Sequence, residues 1–171
     1  MPRIALDLNE ESHRAKVKGV WHRAPGLVPG EPNQGLAAEL EASPARLADY
    51  DDSGWTVCEN IRESISKGFT FGWWRIAVEL PGTIDGVSVA GATVLFETNV
   101  DNYGEVWLDG ENDRGSAAIS GFNASQRVSL GRNHTPGARH VIALLAANGP
   151  LGQPRGGIYI RYATLAFESA G

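Results

Sequence analysis

The chain has 171 residues, with 15 Lys and Arg against 20 Asp and Glu and a net charge of -5. This length fits one domain that buries about 70% of its unfolded surface, and the single cysteine, Cys58, excludes an internal disulfide and a cysteine-based metal cluster. The acidic balance supplies no basic footprint, so we expect neither nucleic acid nor a membrane as a partner.

Turn-forming residues divide the sequence into short apolar runs. The 21 Gly and 9 Pro separate runs rich in aromatic and β-branched residues, a pattern that predicts an all-β sandwich. Residues 1–20 are charged throughout and lack the apolar core of about seven residues that a signal peptide needs. No stretch approaches the ~20 apolar residues of a membrane helix. We therefore expect a soluble, cytoplasmic protein.

Residues 1–48 are expected to wrap the sandwich as part of the same domain, and residues 49–171 to form the sandwich itself. Met1 to Leu8 predicts a short strand whose alternate apolar side chains share one face. Residues 16–21 predict a second strand that ends at Trp21.

Proline marks the next segment. Residues 24–35 carry three prolines and three glycines, which predicts an extended loop over the surface. Residues 36–40 predict one or two helical turns. Ser43-Pro44 predicts the start of another short helix, with Ser43 as N-cap and Leu47 as its buried contact.

The segment Asp49–Trp55 contains three aspartates within four residues. Carboxylate oxygens are the ligands that calcium prefers, so a structural calcium ion is one interpretation. The alternative is an Asx-turn in which Asp52 and Ser53 cap local amides while Trp55 closes the edge of the sandwich. The spacing of an EF-hand is absent, which favours the turn. Residues 59–66 then predict a short helical piece.

The stretch from Trp73 to Gly110 predicts three successive antiparallel strands. Trp73–Leu80 alternates with a period of two, which indicates a strand buried on one face. Ala92–Phe96 is almost continuously apolar and suits a strand near the middle of a sheet. Glu105–Leu108, with Trp107 in the core, leads into Asp109-Gly110, a dipeptide suited to a type I′ hairpin.

Further strands follow this hairpin. Residues 112–120 predict a loop, Arg127–Leu130 a short strand and residues 131–137 a turn-rich connection. His140–Ala146 is an apolar run whose length fits a central strand.

After a loop at residues 151–157, a last long strand is predicted to continue to Phe167. In this strand three side chains are expected to face one way and the residues between them the other: Ile158, Ile160 and Tyr162 against Tyr159, Arg161 and Ala163.

Six short sequences occur in a characteristic order: DDSGW, WWR…ELP, VLFETNVDNYGEVWLDG, GFN, PGARHVIALLAANGP and GGIYIR. This order resembles the galactose-binding-like jelly roll, particularly the sugar-binding β-sandwich that precedes the catalytic barrel in β-galactosidase and β-glucuronidase type glycosidases. The match covers Asp51 to Phe167. Asp109 replaces the usual Asn and Trp74 the usual Tyr, and both changes keep the turn and the aromatic packing. No counterpart of the barrel follows, so the resemblance implies the fold and sugar binding without glycosidase activity.

Sugar binding needs an aromatic face against the apolar side of a pyranose and planar polar groups that hydrogen-bond hydroxyls in pairs. The loop of residues 99–103 supplies two amides, a carboxylate and a phenol, and the jelly-roll order could bring two further loops to the same end. The predicted ligand-binding residues are Trp73, Arg75, Asn99, Asp101, Asn102, Tyr103, Asn148 and Arg155.

Each part of this site has a structural alternative. Trp73 and Arg75 lie on the polar-facing side of their strand. An exposed tryptophan beside an arginine on that side indicates a contact surface. Alternatively, Trp73 packs under the proline-rich N-terminal loop. The loop of residues 99–103 is equally compatible with plain turn formation.

Catalysis is the competing hypothesis. The four histidines form no zinc motif, and no nucleophile elbow occurs. A hydrolase using two of Asp101, Glu105 and Asp109 is conceivable, because paired carboxylates suffice for glycoside hydrolysis. Such pairs are common by chance in an acidic protein.

The sequence thus favours a non-catalytic carbohydrate-binding module, or an accessory subunit that docks on a sugar-active enzyme. The alternatives are a protein-protein assembly module that uses the Trp73 face, as a homo-oligomer or with an enzyme partner, and a small sugar-active enzyme. No cofactor is expected, apart from the calcium alternative.

Overall fold

Two antiparallel sheets face each other in the computed structural model, which describes residues 3–26, 43–63, 70–113, 115, 119–120, 123–148 and 156–168. The elements are β1 (Ile4–Asp7), α1 (Glu11–Lys16), β2 (Trp21–Pro25), a 3₁₀ turn (Pro44–Arg46), β3 (Thr56–Val57), β4 (Thr70–Glu79), β5 (Thr83–Ile84), β6 (Val87–Ser88), β7 (Thr93–Asp101), β8 (Tyr103–Leu108), β9 (Ile119–Ser120), β10 (Ser125–Gly131), β11 (Arg139–Asn148) and β12 (Tyr159–Glu168).

The smaller sheet has four strands in the order β1-β12-β7-β10, and the larger has six in the order β3-β2-β4-β11-β8-β9. A separate hairpin pairs β5 with β6. The predicted all-β sandwich is confirmed. β1 and β2 each join a different sheet, so the N-terminal residues contribute to both layers. No helix within the described residues is long and apolar enough to cross a membrane.

The main core fills the space between the sheets. β4 and β11 lie side by side in the larger sheet, and their inward side chains meet in register, with Trp74 opposite Leu144 and Ile76 opposite Ile142. β7 contributes Phe96 from the facing sheet, 1% exposed. The period-two pattern of Trp73–Leu80 therefore predicted the buried face of β4 correctly.

The prediction that three successive strands pair with one another is wrong. The three strands exist, but β11 lies between β4 and β8, and β7 belongs to the other sheet. The chain crosses between sheets at Asn102, whose φ of 74° turns the backbone within one residue. β7 does occupy a central position, between β12 and β10, as its apolar sequence predicted.

The N-terminal elements need two corrections. A strand over residues 16–21 is not formed, because α1 extends to Lys16 and β2 begins at Trp21, whose buried indole donates to Leu8 O at 3.0 Å. Ser43 does cap the following turn and accepts from Ala45 N. The turn is only three residues long and directs Ala45 inward, so Leu47 is 37% exposed rather than buried.

Two further segments differ from their predictions. Residues 59–63 form turns rather than a helical piece, with Asn60 Oδ1 accepting from Arg62 N at 3.0 Å. The predicted loop at residues 112–120 ends in β9.

The Asp109-Gly110 hairpin is confirmed, since both residues have positive φ, 50° and 87°. Trp107 is half-buried rather than fully in the core. The predicted loop beyond residue 26, the helical turns at residues 36–40 and the remainder of the piece at residues 64–66 lie outside the described residues.

The alternation predicted for the last strand fails after Ile160. A bulge in β12 inserts Arg161, because Ile160 pairs with Val100 while Tyr162 pairs with Asn99. The bulge turns Tyr162 outward and leaves the next residue, Ala163, fully buried. Bulges of this kind re-aim side chains.

We expect Leu144→Ala to lower the free energy of unfolding by about 2–5 kcal/mol, because it opens a cavity beside Trp74. Urea denaturation measures this loss. Val87→Ala, at a 41% exposed position, is the control and should cost less than about 0.5 kcal/mol. Equal losses in the two variants would contradict the assignment of the core.

Candidate functional site

The outer face of the larger sheet carries a second apolar cluster, closed by residues 43–55, which we name the strap. Trp73, at 0% exposed, lies in this cluster beside Leu145 of β11. Ala45 and Trp55 of the strap complete it. The expectation that Trp73 is an exposed contact is therefore wrong, because both faces of β4 are covered. The alternative of burial under an N-terminal segment is closer to the structure.

Arg75 is also buried, at 2% exposed, and it binds the strap. Its Nε donates to Asp52 Oδ2 at 2.8 Å. Its two Nη groups donate to the carbonyl oxygens of Ala45, of Leu47 at 2.9 Å and of Tyr50 at 3.2 Å. The guanidinium lies 5.4 Å from the centre of the Tyr50 ring. Arg75 thus serves an internal contact and is not presented to a ligand.

Asp52 links the strap to the edge of the larger sheet. Its second oxygen, Oδ1, lies 2.9 Å from His22 Nδ1. The Asx-turn proposed for this segment is made instead by Asp51, whose Oδ1 accepts from Ser53 N at 3.0 Å. The side-chain hydroxyl of Ser53, together with this backbone bond, lowers the pKa of Asp51 below its ordinary value. Among the described residues, no three His, Cys, Asp or Glu side chains converge on a metal position.

The structure divides the predicted loop site among three places. Asn99 and Asp101 lie on the outer face of the smaller sheet, because their neighbours Thr98 and Val100 point into the core. Asn102 lies at the crossing between sheets. Tyr103 lies on the outer face of the larger sheet. Strand alternation and the crossing between sheets separate residues that are adjacent in sequence.

Two of the predicted residues do meet. Asn102 Nδ2 donates to Asn148 Oδ1 at 2.6 Å, and Asn148 is only 1% exposed. Asn99 is 6% exposed and donates to Asn123 O at 3.2 Å. These amides bind protein groups. Arg155, the last predicted residue, lies outside the described residues.

A buried carboxylate accompanies Tyr103. Glu105 is 2% exposed; its Oε1 accepts from Tyr103 Oη at 2.6 Å and its Oε2 from Trp107 Nε1 at 3.1 Å. The three side chains share one face of β8. Both oxygens of the Glu105 carboxylate therefore accept hydrogen bonds from neighbouring side chains.

The three carboxylates of the hydrolase hypothesis do not share a cleft. Asp101 lies on the smaller sheet, and Glu105 is buried on the larger one. Asp109 lies at the far end of β8, where Oδ2 is 2.7 Å from His140 Nδ1. No two of these three carboxylates therefore face a common position for a substrate.

An open groove of about 440 Å³ lies on the outer face of the smaller sheet, where β7 ends and β12 begins. It is lined by Arg62, Asp101, Tyr159, Ile160 and Arg161. Tyr159 stands opposite Asp101 in the strand pairing and is 42% exposed. Arg161 Nη2 donates to Asp101 Oδ2 at 3.0 Å, and Arg62 binds Asp7 at the groove's side.

Of the groove residues, the sequence prediction included Asp101 alone. Tyr159 and Arg161 could have been found from the alternation of polar and aromatic side chains with Ile158 and Ile160 in the last strand. No sequence pattern indicated Arg62, because it lies in a turn that is distant in the sequence from the other groove residues.

A second groove, of about 640 Å³, lies between α1 and the β2–β3 edge of the larger sheet. Its lining includes Val20, Val57 and the thiol-bearing Cys58. Cys58 is 6% exposed, and burial raises the pKa of its thiol above the ordinary value. The thiol is thus held neutral at physiological pH.

The fold of the chain is similar to part of several glycosidases of known structure. Bacteroides uniformis β-glucuronidase matches 96% of this chain and 18% of its own, at 17% identity and a TM-score of 0.60. Faecalibacterium prausnitzii β-glucuronidase matches 97% of this chain and 31% of its own, at 16% identity and a TM-score of 0.59. A glycosyl hydrolase family 2 member from Bacteroides cellulosilyticus matches 96% and 20%, at 14% identity and a TM-score of 0.60.

The chain therefore spans 18% to 31% of the length of these proteins. Neither a model of a known protein family nor a curated protein matches the sequence. At such low identity the likeness shows the fold, and it confirms the jelly-roll architecture that the sequence motifs implied.

We expect Arg75→Leu to lower the free energy of unfolding by about 3–5 kcal/mol, because it leaves Asp52 and the strap carbonyls without their partner. Denaturation followed by tryptophan fluorescence measures the change. Arg127→Leu, which removes a 53% exposed side chain from surface ion pairs, is the matched control and should cost less than about 1 kcal/mol. Similar losses would show that Arg75 does not bind the strap as described.

We also expect the Cys58 thiol of the folded protein to react with 5,5′-dithiobis(2-nitrobenzoic acid) at least about tenfold more slowly than after unfolding in urea, since burial covers the sulfur and disfavours the thiolate. Reaction rates at pH 8 test this. Equal rates before and after unfolding would show that the thiol is accessible in the native state.

Proposed function

We propose that the chain is a carbohydrate-binding module whose saccharide lies in the groove at Tyr159. The observation that supports this proposal is an exposed tyrosine set between a carboxylate and two guanidinium groups. Among the described residues, the exposed large hydrophobic side chains are four aliphatic ones and Tyr159. The groove therefore offers the aromatic surface that a pyranose ring requires.

The polar groups around Tyr159 suit sugar hydroxyls. A carboxylate accepts hydrogen bonds in pairs, and each guanidinium has five donors of which its carboxylate partner takes only some. Asp101 and Arg161 remain 20% and 49% exposed at their side chains. Both can therefore bind neighbouring hydroxyls on a ring that stacks against Tyr159.

A binding role without catalysis is the simpler interpretation of this groove. Glycoside hydrolysis ordinarily uses two carboxyl groups across the scissile bond, whereas the described groove lining contains the single carboxylate of Asp101. The fold similarity to part of β-glucuronidases supports a role beside a sugar-active enzyme. The module would then act as an accessory subunit or domain that holds a glycan.

The competing assembly hypothesis depended on an exposed Trp73, and the strap covers that residue. A protein partner at that face would first have to displace the Arg75 contacts. We therefore place saccharide binding at Tyr159 ahead of protein docking at Trp73.

The proposal predicts that one sugar from a panel of galactose, glucose, mannose, glucuronic acid and N-acetylglucosamine methyl glycosides binds saturably in calorimetry. Tyr159→Ala and Asp101→Asn should each weaken that binding by about tenfold, the loss of one stacking contact or charged hydrogen bond. The matched control is Tyr162→Phe, which removes only the hydroxyl bonded to Ser125 outside the groove lining.

The outcomes separate the hypotheses. Binding that survives Tyr159→Ala unchanged would remove the saccharide from this groove. No binding to any sugar of the panel would overturn the proposal, and a stable homo-oligomer in solution would then favour assembly.

A further inference from the structure

The backbone changes sheets between β7 and β8 within a single residue. β7 ends at Asp101 in the smaller sheet, and β8 begins at Tyr103 in the larger. Asn102 makes the crossing with a φ of 74°, a left-handed conformation that Asn adopts more readily than most residues with a side chain. Asp101 directly precedes Asn102 and pairs with Tyr159, so the backbone at Asn102 is one of two constraints on the placement of Asp101.

Buried amides hold both sides of this crossing. Asn148, the last residue of β11, accepts the Asn102 Nδ2 hydrogen bond at 2.6 Å. On the other side, Gln126 Nε2 donates to Gly104 O at 3.0 Å and so links β10 of one sheet to β8 of the other. Gln126 and Asn148 are each 1% exposed. Competition from water is therefore weak at these bonds.

The packing beside the crossing is tight. A Cβ added at Gly104 would lie 2.8 Å from Val100 Cγ2, closer than van der Waals contact permits. The start of β8 thus packs directly on the end of β7, on either side of Asn102. A shift of Asn102 would have to move the end of β7, where Asp101 lies.

We infer that Asn148 and Asn102 are positioning residues for the groove: through their amide pair they fix Asp101 beside Arg161 and opposite Tyr159. This inference depends on the saccharide groove proposed above. It gives both asparagines a role different from the ligand contact that the sequence predicted. Neither belongs to the groove lining, and each acts through the placement of Asp101.

The first test does not need a ligand. In Asn148→Ala and in Asn102→Gly, the guanidinium NMR resonances of Arg161 should move toward their position in Asp101→Asn, because the Arg161–Asp101 contact is lost. Asn102→Gly keeps the left-handed backbone and removes only the amide, so it remains informative if Asn148→Ala does not fold. Asn148 pairs with Thr70 at the start of β4, whereas Val78 is buried near the end of that strand. Val78→Ala is therefore the stability control and should leave these resonances unchanged.

The second test measures the affinity for the methyl glycoside of the panel that binds the unmodified chain most tightly. Both asparagine variants should raise its Kd by about tenfold, while Val78→Ala, a core change that is also expected to lower stability, should not change it. If the unmodified chain binds no sugar, the proposed function fails, while the Arg161 resonances still decide the positioning role. Unchanged Arg161 resonances in both folded asparagine variants would overturn the inference.

Discussion

The buried guanidinium of Arg75 is the interaction on which the arrangement of the larger sheet depends. An arginine at 2% exposure is costly unless its donors are satisfied, and here four of its hydrogen bonds end on the strap. The described backbone hydrogen bonds of residues 43–52 are local to the strap, so side chains attach it to the sheet: chiefly Arg75, together with the contact between Asp52 and His22. The same contacts close the face around Trp73 and leave the smaller sheet as the open face.

The two sheets consequently differ in what their outer faces present. The smaller sheet carries an ion-pair network in which Arg127 Nε lies 3.1 Å from Glu97 and Arg3 Nε lies 3.2 Å from Glu168. Such exposed pairs contribute little to stability. Toward the last residues of β7, the exposed ring of Tyr159 stands beside the ion pair of Asp101 and Arg161. Among the described residues of this face, the groove therefore combines an exposed aromatic ring with charged groups.

Sequence periodicity was sufficient to predict most strands and which face of β4 points inward. It could not predict features that depend on residues distant in the sequence. The alternation of Trp73–Leu80 identifies two faces, but it does not say whether a distant strap covers the second. The predicted order of the strands in the sheet was wrong for the same reason. β11 lies between β4 and β8, although it begins more than thirty residues after β8. The motif resemblance supplied the jelly roll because it records an order of elements rather than a local pattern.

Two local events, each of which shifts side chains between faces, separate residues that the sequence grouped into one site. One residue, Asn102, moves the chain from one sheet to the other, so the run Asn99 to Tyr103 cannot act as a single loop. One inserted residue, Arg161, moves Tyr162 outward and brings a guanidinium to Asp101. Both events occur at the same end of the smaller sheet, and together they create a groove that neither strand would form alone. The irregularities of β7 and β12, rather than their regular pairing, therefore form the groove in which we propose that a saccharide binds.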